Sequence, residues 1–229
     1  VGGSPIFAQY IAQYDITTPA WQGLYNHTSN DVNDHVRALG INQDAGTGAK
    51  LMIGGLFTKC NGGTQDANHI VLYKLYSPDG FEILTQNGGN GVNSDVYAVA
   101  YNYYNAPIVG TQQTTIMGGR FTLMDYGGSS DLAANLVGYY NFINSGPSGY
   151  GFFNLTYLNP NVGVGPLSPI NTYHVNAVKM IGTDVYVGGR FNIVGPNLTV
   201  GPNNPAVYNI AKWDTINNVW YPLVTDVLS

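Results

Sequence analysis

A glycine pair followed by a phenylalanine recurs four times along this chain of 229 residues. The four pairs are Gly2-Gly3, Gly54-Gly55, Gly118-Gly119 and Gly188-Gly189. Self-similarity at this spacing is typical of an array of supersecondary units, each of which needs its neighbours to bury its apolar face. The recurrence therefore constrains the fold more than any single motif in the sequence.

Three other short elements recur around each glycine pair. A Val-x-Ala element precedes it at 36–38, 96–98 and 175–177. An apolar element that reaches an aromatic residue follows it at 10–15, 69–73, 135–139 and 209–214. A last element that begins with an aromatic residue lies at 21–24, 81–84, 152–155 and 220–223. All are rich in β-branched and aromatic residues and end at Gly, Asn, Asp or Pro, so the sequence predicts four β-strands per repeat.

The composition agrees with an all-β fold. The 30 glycines and 12 prolines leave few segments long enough for a stable helix. Disorder is also disfavoured, because 44% of the residues are hydrophobic and 13% are aromatic. Within this fold the glycine pairs are expected to act sterically, by letting the backbone bend or approach a neighbouring strand.

Charge and cysteine content exclude several classes of partner. Eight Lys and Arg face 13 Asp and Glu, for a net charge of −5, so the chain lacks the basic field that nucleic acid requires. Apolar runs stay well below the ~18 residues of a membrane span. The single cysteine, Cys60, rules out an internal disulfide and a cysteine-based zinc site. We expect no cofactor.

The order of the elements resembles a kelch-type β-propeller repeat, in which a glycine pair is followed by an aromatic residue, usually an aspartate, and then a tryptophan. The matching sets are Trp213-Asp214 with Trp220, Tyr14-Asp15 with Trp21, and more loosely Tyr73 with Phe81. The Val-Gly-Gly-x-Phe and Asn-Ile-Ala-x-Trp-Asp variety is similar to repeats of secreted and surface proteins of microbes, including the fungal cortical polarity marker family. The resemblance implies a kelch-like β-propeller with one four-stranded blade per repeat. Its signature residues are the eight paired glycines with Trp21, Trp213 and Trp220.

Counting blades on this resemblance gives about three and a half. Complete blades are expected at 32–91, 92–163 and 164–229, with a partial blade at 1–31 that lacks its Val-x-Ala strand. A closed ring takes about four to eight blades. We therefore expect the chain to be part of a larger ring, as a piece of a longer protein, as a chain lacking both ends, or as one of several copies. An exposed sheet edge is expected at 1–31 unless another strand pairs there.

Catalytic patterns are scarce. The histidines lie outside any metal-binding spacing, at His27, His35, His69 and His174. No Gly-x-Ser-x-Gly or phosphate-binding loop occurs either. The sequence therefore predicts no catalytic residue and no metal site, and an enzyme of the kelch-like oxidase or glycoside-active kind is the least supported alternative.

Two features point to binding at the protein's exterior. Three Asn-x-Thr sequons make Asn26, Asn154 and Asn197 candidates for glycosylation. The loops are long, and Tyr101, Tyr103 and Tyr104 are candidate binding aromatics; the alternative is that they are half-buried strand residues.

Only 9% of the residues are charged, a composition suited to lying against neighbouring molecules. We therefore expect a non-catalytic structural or protein-interaction propeller module of an extracellular, cell-surface, filament or virion assembly. Its partners are expected to be proteins or copies of itself. The alternative is a lectin-like, carbohydrate-binding propeller whose ligands are glycans.

Overall fold

The computed structural model describes residues 8–24, 31–42, 49–75, 80–85, 88–102, 113–129, 131–142, 151–153, 162–165, 173–196, 207–217 and 219–223. These residues form strands, bridges and turns, and none of them lies in a helix. The predicted all-β fold is thus confirmed for this part of the chain. No helix capable of crossing a membrane lies in it.

Three antiparallel sheets of four strands form most of the described structure. The first sheet contains β3 (Val36–Asn42), β4 (Lys50–Gly55), β7 (Ile70–Lys74) and β8 (Phe81–Glu82). The second contains β9 (Val96–Asn102), β10 (Gln113–Gly119), β13 (Val137–Phe142) and β14 (Gly151–Phe153). The third contains β16 (His174–Ile181), β17 (Asp184–Arg190), β19 (Ile210–Asp214) and β20 (Val219–Pro222). In each sheet neighbouring strands follow one another in chain order, and each Val-x-Ala element lies on the first strand.

The remaining strands form four two-stranded sheets. The pairs are β1 (Gln13–Asp15) with β2 (Ala20–Gln22), β5 (Lys59–Cys60) with β6 (Gln65–Asp66), β11 (Leu123–Met124) with β12 (Leu132–Ala133), and β15 (Val162–Gly165) with β18 (Ile193–Pro196). The pair β1 and β2 lies in the segment where the sequence predicts a partial blade. Each of the other three two-stranded sheets has at least one strand in the chain segment that connects the second and third strands of a four-stranded sheet.

The hydrophobic core lies between successive repeats. One cluster joins Ile11 and Leu24 of the first repeat to the first sheet. A second joins the first sheet to the second, and a third joins the second sheet to the third. Because side chains alternate along a strand, the first and second sheets each pack one face on the preceding repeat and the other on the following one, and the third sheet packs one face on the second.

The first glycine of each inner pair receives valines of the next sheet. A Cβ added to Gly54 would lie 2.6 Å from Val96 Cγ1, and one added to Gly118 would lie 2.9 Å from Val178 Cγ1 and closer still to Val175. Strand β9 accordingly lies against β3, and β16 lies against β9. The predicted steric role of the glycines is therefore correct at these positions.

The second glycine of each pair makes room for a β-bulge. Its missing Cβ leaves space for a backbone carbonyl, which belongs to His35, Asp95 or His174 in the three sheets. The strand register shifts next to that carbonyl in all three sheets. Only glycine fits such a close approach of two backbones.

The third strand of every repeat is preceded by a residue in the left-handed conformation. The φ values are 65° at Tyr10, 64° at His69, 64° at Leu136 and 64° at Asn209. The left-handed residues make Leu136 the equivalent of His69. The repeated elements in the sequence instead match Asn135 with His69, so the third repeat is shifted by one residue. Tyr140, not Tyr139, is therefore the equivalent of Tyr73, and it lies opposite Phe152.

The aspartate after the third-strand aromatic closes the turn to the fourth strand. Asp214 Oδ1 accepts hydrogen bonds from the backbone N–H groups of Ile216 (2.9 Å) and Asn217 (3.0 Å). Asp15 makes the same turn in the first repeat with the N–H of Thr17 at 2.8 Å. The Trp-Asp and Tyr-Asp motifs thus combine a packing residue with a turn residue.

Candidate functional site

A depression of about 450 Å³ lies where the first strands of the three sheets converge. Its lining residues are Arg37, Tyr97, Arg120, His174 and Asn176. Pockets of this volume are typical of small-molecule sites. The depression is therefore a candidate ligand site.

The three β-bulges place side chains in this depression. In each register the residue after the valine has no partner on the second strand, and these residues are Arg37, Tyr97 and Asn176. A bulge redirects a side chain out of the regular alternation of its strand. The glycine pairs therefore create the depression indirectly, and the variable residue of each Val-x-Ala element lines it.

Two asparagine side chains hold the strand starts in place. Asn33 Oδ1 accepts hydrogen bonds from the N–H groups of Thr58 (2.9 Å) and Lys59 (2.8 Å). Asn93 Oδ1 does the same one sheet later, from Thr122 (2.8 Å) and the next residue. Both asparagines lie three positions before the valine, so they fix the segment that leads into the bulge.

The tyrosine of the depression is held on two sides. The Tyr97 hydroxyl donates a hydrogen bond to Asp95 Oδ2 at 3.0 Å and accepts one from Arg120. Its ring lies edge-on to the His174 ring, with centroids 6.0 Å apart. Burial raises the pKa of Tyr97, so the hydroxyl is protonated at neutral pH.

Asp95 also faces a histidine of the first sheet. His69 Nδ1 lies 3.7 Å from Asp95 Oδ1, and the His69 side chain is 15% exposed. Burial lowers the pKa of His69, against the opposing effect of Asp95. The imidazole is therefore mostly neutral at neutral pH, and it links the first sheet to the start of the second.

The described structure brings few other polar groups into clusters. No group of three or more His, Cys, Asp or Glu side chains in the described residues is arranged to hold a metal ion. Cys60 is buried in β5, and burial raises the pKa of its thiol to about 12. Such a thiol is an unreactive packing residue.

One end of the array exposes an aromatic pair that the inner repeats bury. Tyr14 lies opposite Trp21 with ring centroids 5.2 Å apart, and their exposures are 47% and 59%. The equivalent pairs, which are buried, are Tyr73 with Phe81 and Trp213 with Trp220. We call Tyr14 and Trp21 the leading surface, because the equivalent residues of later repeats lie in the clusters that join each sheet to the preceding repeat.

The other end exposes the opposite face of the third sheet. Ile70 and Val137, the first residues of β7 and β13, are fully buried, and each shares a core cluster with a valine of the following sheet. Their equivalent in the third sheet, Ile210, is 43% exposed. We call Ile210 and its neighbour Gly188 the trailing surface, since Gly188 lies opposite Ile210 in the strand register.

Of the binding and glycosylation residues predicted from the sequence, only Tyr101 lies among the described residues. Tyr101 lies on β9 and packs, partly buried, against the core cluster between the first and second sheets, which fits the half-buried alternative. The candidates that lie outside the described residues are Tyr103, Tyr104, Asn26, Asn154, Asn197, His27, Gly2 and Gly3.

Sequence reasoning missed the residues that line the depression. The sequence does contain a sign of these residues. Arg37, Tyr97 and Asn176 are the variable middle residues of the three Val-x-Ala elements. A position that varies between regular neighbours points outward from the shared packing.

The chain matches no family model, no curated protein and no solved structure.

Proposed function

We propose that the chain is a section of a kelch-like β-propeller that serves as a non-catalytic structural or protein-interaction module. The radial arrangement is supported by the repeated docking of each first strand on the glycine of the preceding sheet. The setting we propose is an extracellular, cell-surface, filament or virion assembly, because the low charge of the chain suits stable contact with neighbours.

The exposed Tyr14 and Trp21 pair carries this proposal. In the first sheet the equivalent Tyr73 is buried, and its hydroxyl donates a hydrogen bond to the backbone carbonyl of Leu24 in the preceding repeat. In the third sheet Trp213 packs in one cluster with Tyr139 of the second sheet. A further sheet of the same kind would cover Tyr14 and Trp21 in the same way and remove a large apolar area from water.

The two ends of the array are complementary. The leading surface offers apolar side chains, and the trailing surface offers a glycine and a half-exposed isoleucine, as do the inner contacts. A contact of leading to trailing surface is heterologous, so it extends the array or closes a ring. We propose that the partner sheet comes from another protein chain, from a copy of this one, or from a further part of a longer protein.

Light scattering after size-exclusion chromatography tests the proposal with the purified chain. We expect its mass to rise with concentration and this association to weaken in Trp21→Ser and in Ile210→Ser. Ile216→Ser is the matched control, because Ile216 is 63% exposed in a turn away from both surfaces. A monomer at every concentration, or equal association of all variants, contradicts self-association as the role of these surfaces.

Carbohydrate binding is the second candidate function, and the depression is the observation that favours it. Its lining combines an aromatic ring with guanidinium, imidazole and amide groups, which suits a hydroxylated ligand. Tyr101 does not carry this candidate, because it packs against the core. A glycan array probed with the purified chain tests it, and the absence of any bound glycan contradicts it.

A further inference from the structure

We propose that the depression binds an acidic sugar, a small hydroxylated molecule with a carboxylate group. The inference rests on the second candidate function and adds to it the charge of the ligand. It follows from the kinds of side chain that the bulges and glycine pairs bring together.

Two arginines from different sheets line the depression. Arg37 is the bulge residue of β3, and Arg120 directly follows the Gly118-Gly119 pair of β10. Both side chains belong to residues that are exposed to solvent. A guanidinium group presents parallel N–H donors that match the two oxygens of a carboxylate, so two of them favour such a ligand over a neutral one.

The two arginines of the depression belong to a chain that is acidic overall. Lys59, Lys74 and Lys212 each form an ion pair within their own repeat, at 2.7, 3.1 and 3.1 Å. The chain as a whole carries a net charge of −5. An arginine pair that lines a pocket of an acidic protein is therefore a local feature and does not reflect a general basic surface.

Two carboxylates lie near these arginines and limit the positive charge. Asp95 accepts the hydrogen bond of the Tyr97 hydroxyl, and that hydroxyl in turn accepts from Arg120. Hydrogen bonds from the ring (2.5 Å) and the backbone N–H (2.7 Å) of His35 lower the pKa of the Asp34 carboxyl. The nearby charge of Arg37 lowers this pKa further. Both carboxylates accept hydrogen bonds from neighbouring groups, and a guanidinium carries five N–H donors, so it can contact a ligand anion as well as a neighbouring side chain.

Part of the depression is ordered by contacts within the protein. The hydrogen bonds through Tyr97 fix Arg120, and the edge-on contact with His174 fixes the tyrosine ring. A ligand that meets side chains already in place loses less conformational entropy on binding. This favours a small polar ligand, which has little apolar area to offset such a loss.

The remaining lining groups suit hydroxyls. The Asn176 amide both donates and accepts hydrogen bonds, and the His174 imidazole does so in its neutral form. Together with Tyr97 they surround the arginines with groups that a sugar ring can satisfy. A ligand with only a carboxylate would leave these groups unused.

Isothermal titration of the purified chain tests the proposal with three probes: glucuronate, glucose and sulfate. We expect glucuronate to bind roughly tenfold or more tightly than the other two, and Arg37→Gln and Arg120→Gln each to weaken it by a similar factor. Arg190→Gln is the matched control, because Arg190 follows Gly188-Gly189 as Arg120 follows its own pair, yet it lies over the Tyr173 ring, at 6.0 Å, outside the lining. Thermal unfolding of each variant shows whether the fold is intact.

The other outcomes overturn the proposal in distinguishable ways. Equal binding of glucose and glucuronate leaves carbohydrate binding in place and removes the carboxylate. Equal binding of sulfate shows a general anion site. If Arg190→Gln also loses glucuronate binding, the arginines act through net charge and not through direct contact. If no probe binds, the proposed ligand site is wrong. The propeller proposal is tested separately, by the association experiment.

Discussion

Val175 on the first strand of the third sheet packs directly on Gly118 of the second sheet. The same contact joins Val96 to Gly54 one repeat earlier. A side chain at either glycine would have to displace a buried valine, so the glycine is required by the neighbouring sheet and not by its own strand. This relationship makes the contact between sheets testable by single substitutions.

Gly118→Ala should destabilise the protein by about 1 to 3 kcal/mol, the usual cost of overpacking a buried contact. Urea-induced unfolding measures the change in the free energy of unfolding. Gly188→Ala is the control, because among the described residues its added Cβ has Ala177 Cβ as nearest neighbour, at the ordinary distance of 3.8 Å. We expect that variant to be close to neutral.

A double substitution separates this contact from a general effect of alanine. Val175→Ala removes the methyl group that would lie nearest the new Cβ at Gly118, whereas Val178 Cγ1, at 2.9 Å, stays in place. The double variant should therefore be more stable than the sum of the two single effects predicts. Additive losses would show that the clash lies elsewhere.

The regular parts of the fold could be predicted from the sequence because each depends on a repeated residue type. Valines, glycine pairs and aromatic residues recur where strands pack, so both the all-β class and the strands follow from their order. The third repeat is the exception. Tyr139 and Tyr140 are adjacent aromatics, and two features of the structure decide between them: the left-handed φ of 64° at Leu136, which no sequence rule expects of a leucine, and the pairing of Tyr140 with Phe152.

The depression is harder to predict from the sequence, for a different reason. Arg37, Tyr97 and Asn176 are far apart in sequence, and each enters the depression through a bulge in its own strand. The sequence shows the glycine that permits a bulge. It does not show which residue of the neighbouring strand is left without a partner.

Asn209→Val should destabilise the third sheet, because Asn209 has a φ of 64°. A β-branched residue in the left-handed region costs about 1 to 2 kcal/mol, whereas glycine adopts it freely. Asn209→Gly is therefore the control and should retain most of the stability. Both variants keep the backbone bond from the N–H of residue 209 to the carbonyl of Phe191, so a difference in their denaturation midpoints isolates the conformational cost.

Stability should fall as the pH is lowered through the range in which unfolded histidine becomes protonated. Burial lowers the pKa of His69 from its ordinary value of 6.5, so the unfolded chain binds more protons than the folded one below that pH. The loss should begin near the unfolded pKa and level off below the lowered folded value. Denaturant unfolding at about pH 8 and about pH 5.5 measures it.

His69→Asn should reduce this pH dependence, since asparagine tolerates the φ of 64° at this position and does not titrate. His35→Asn is the matched control, because the His35 side chain is 63% exposed. If both variants keep the full wild-type pH dependence, another group is responsible. If His35→Asn alone removes it, the assignment to His69 is wrong.

Asp214→Ala should lower the melting temperature at neutral pH by removing the acceptor that closes the turn to β20. The carboxylate is bonded by the N–H groups of Ile216 and Asn217 and by the Asn217 amide at 2.8 Å, and these bonds, chiefly those of Asn217, hold its pKa below 3.8. A lowered folded pKa means that the stabilisation is complete above the unfolded pKa and is lost as the pH falls through the folded one. The difference between wild type and Asp214→Ala should therefore shrink in strong acid. Asp214→Asn keeps one acceptor oxygen, so it should lose less at neutral pH, and an equal loss in both variants would show that charge and not the turn hydrogen bonds stabilises this hairpin.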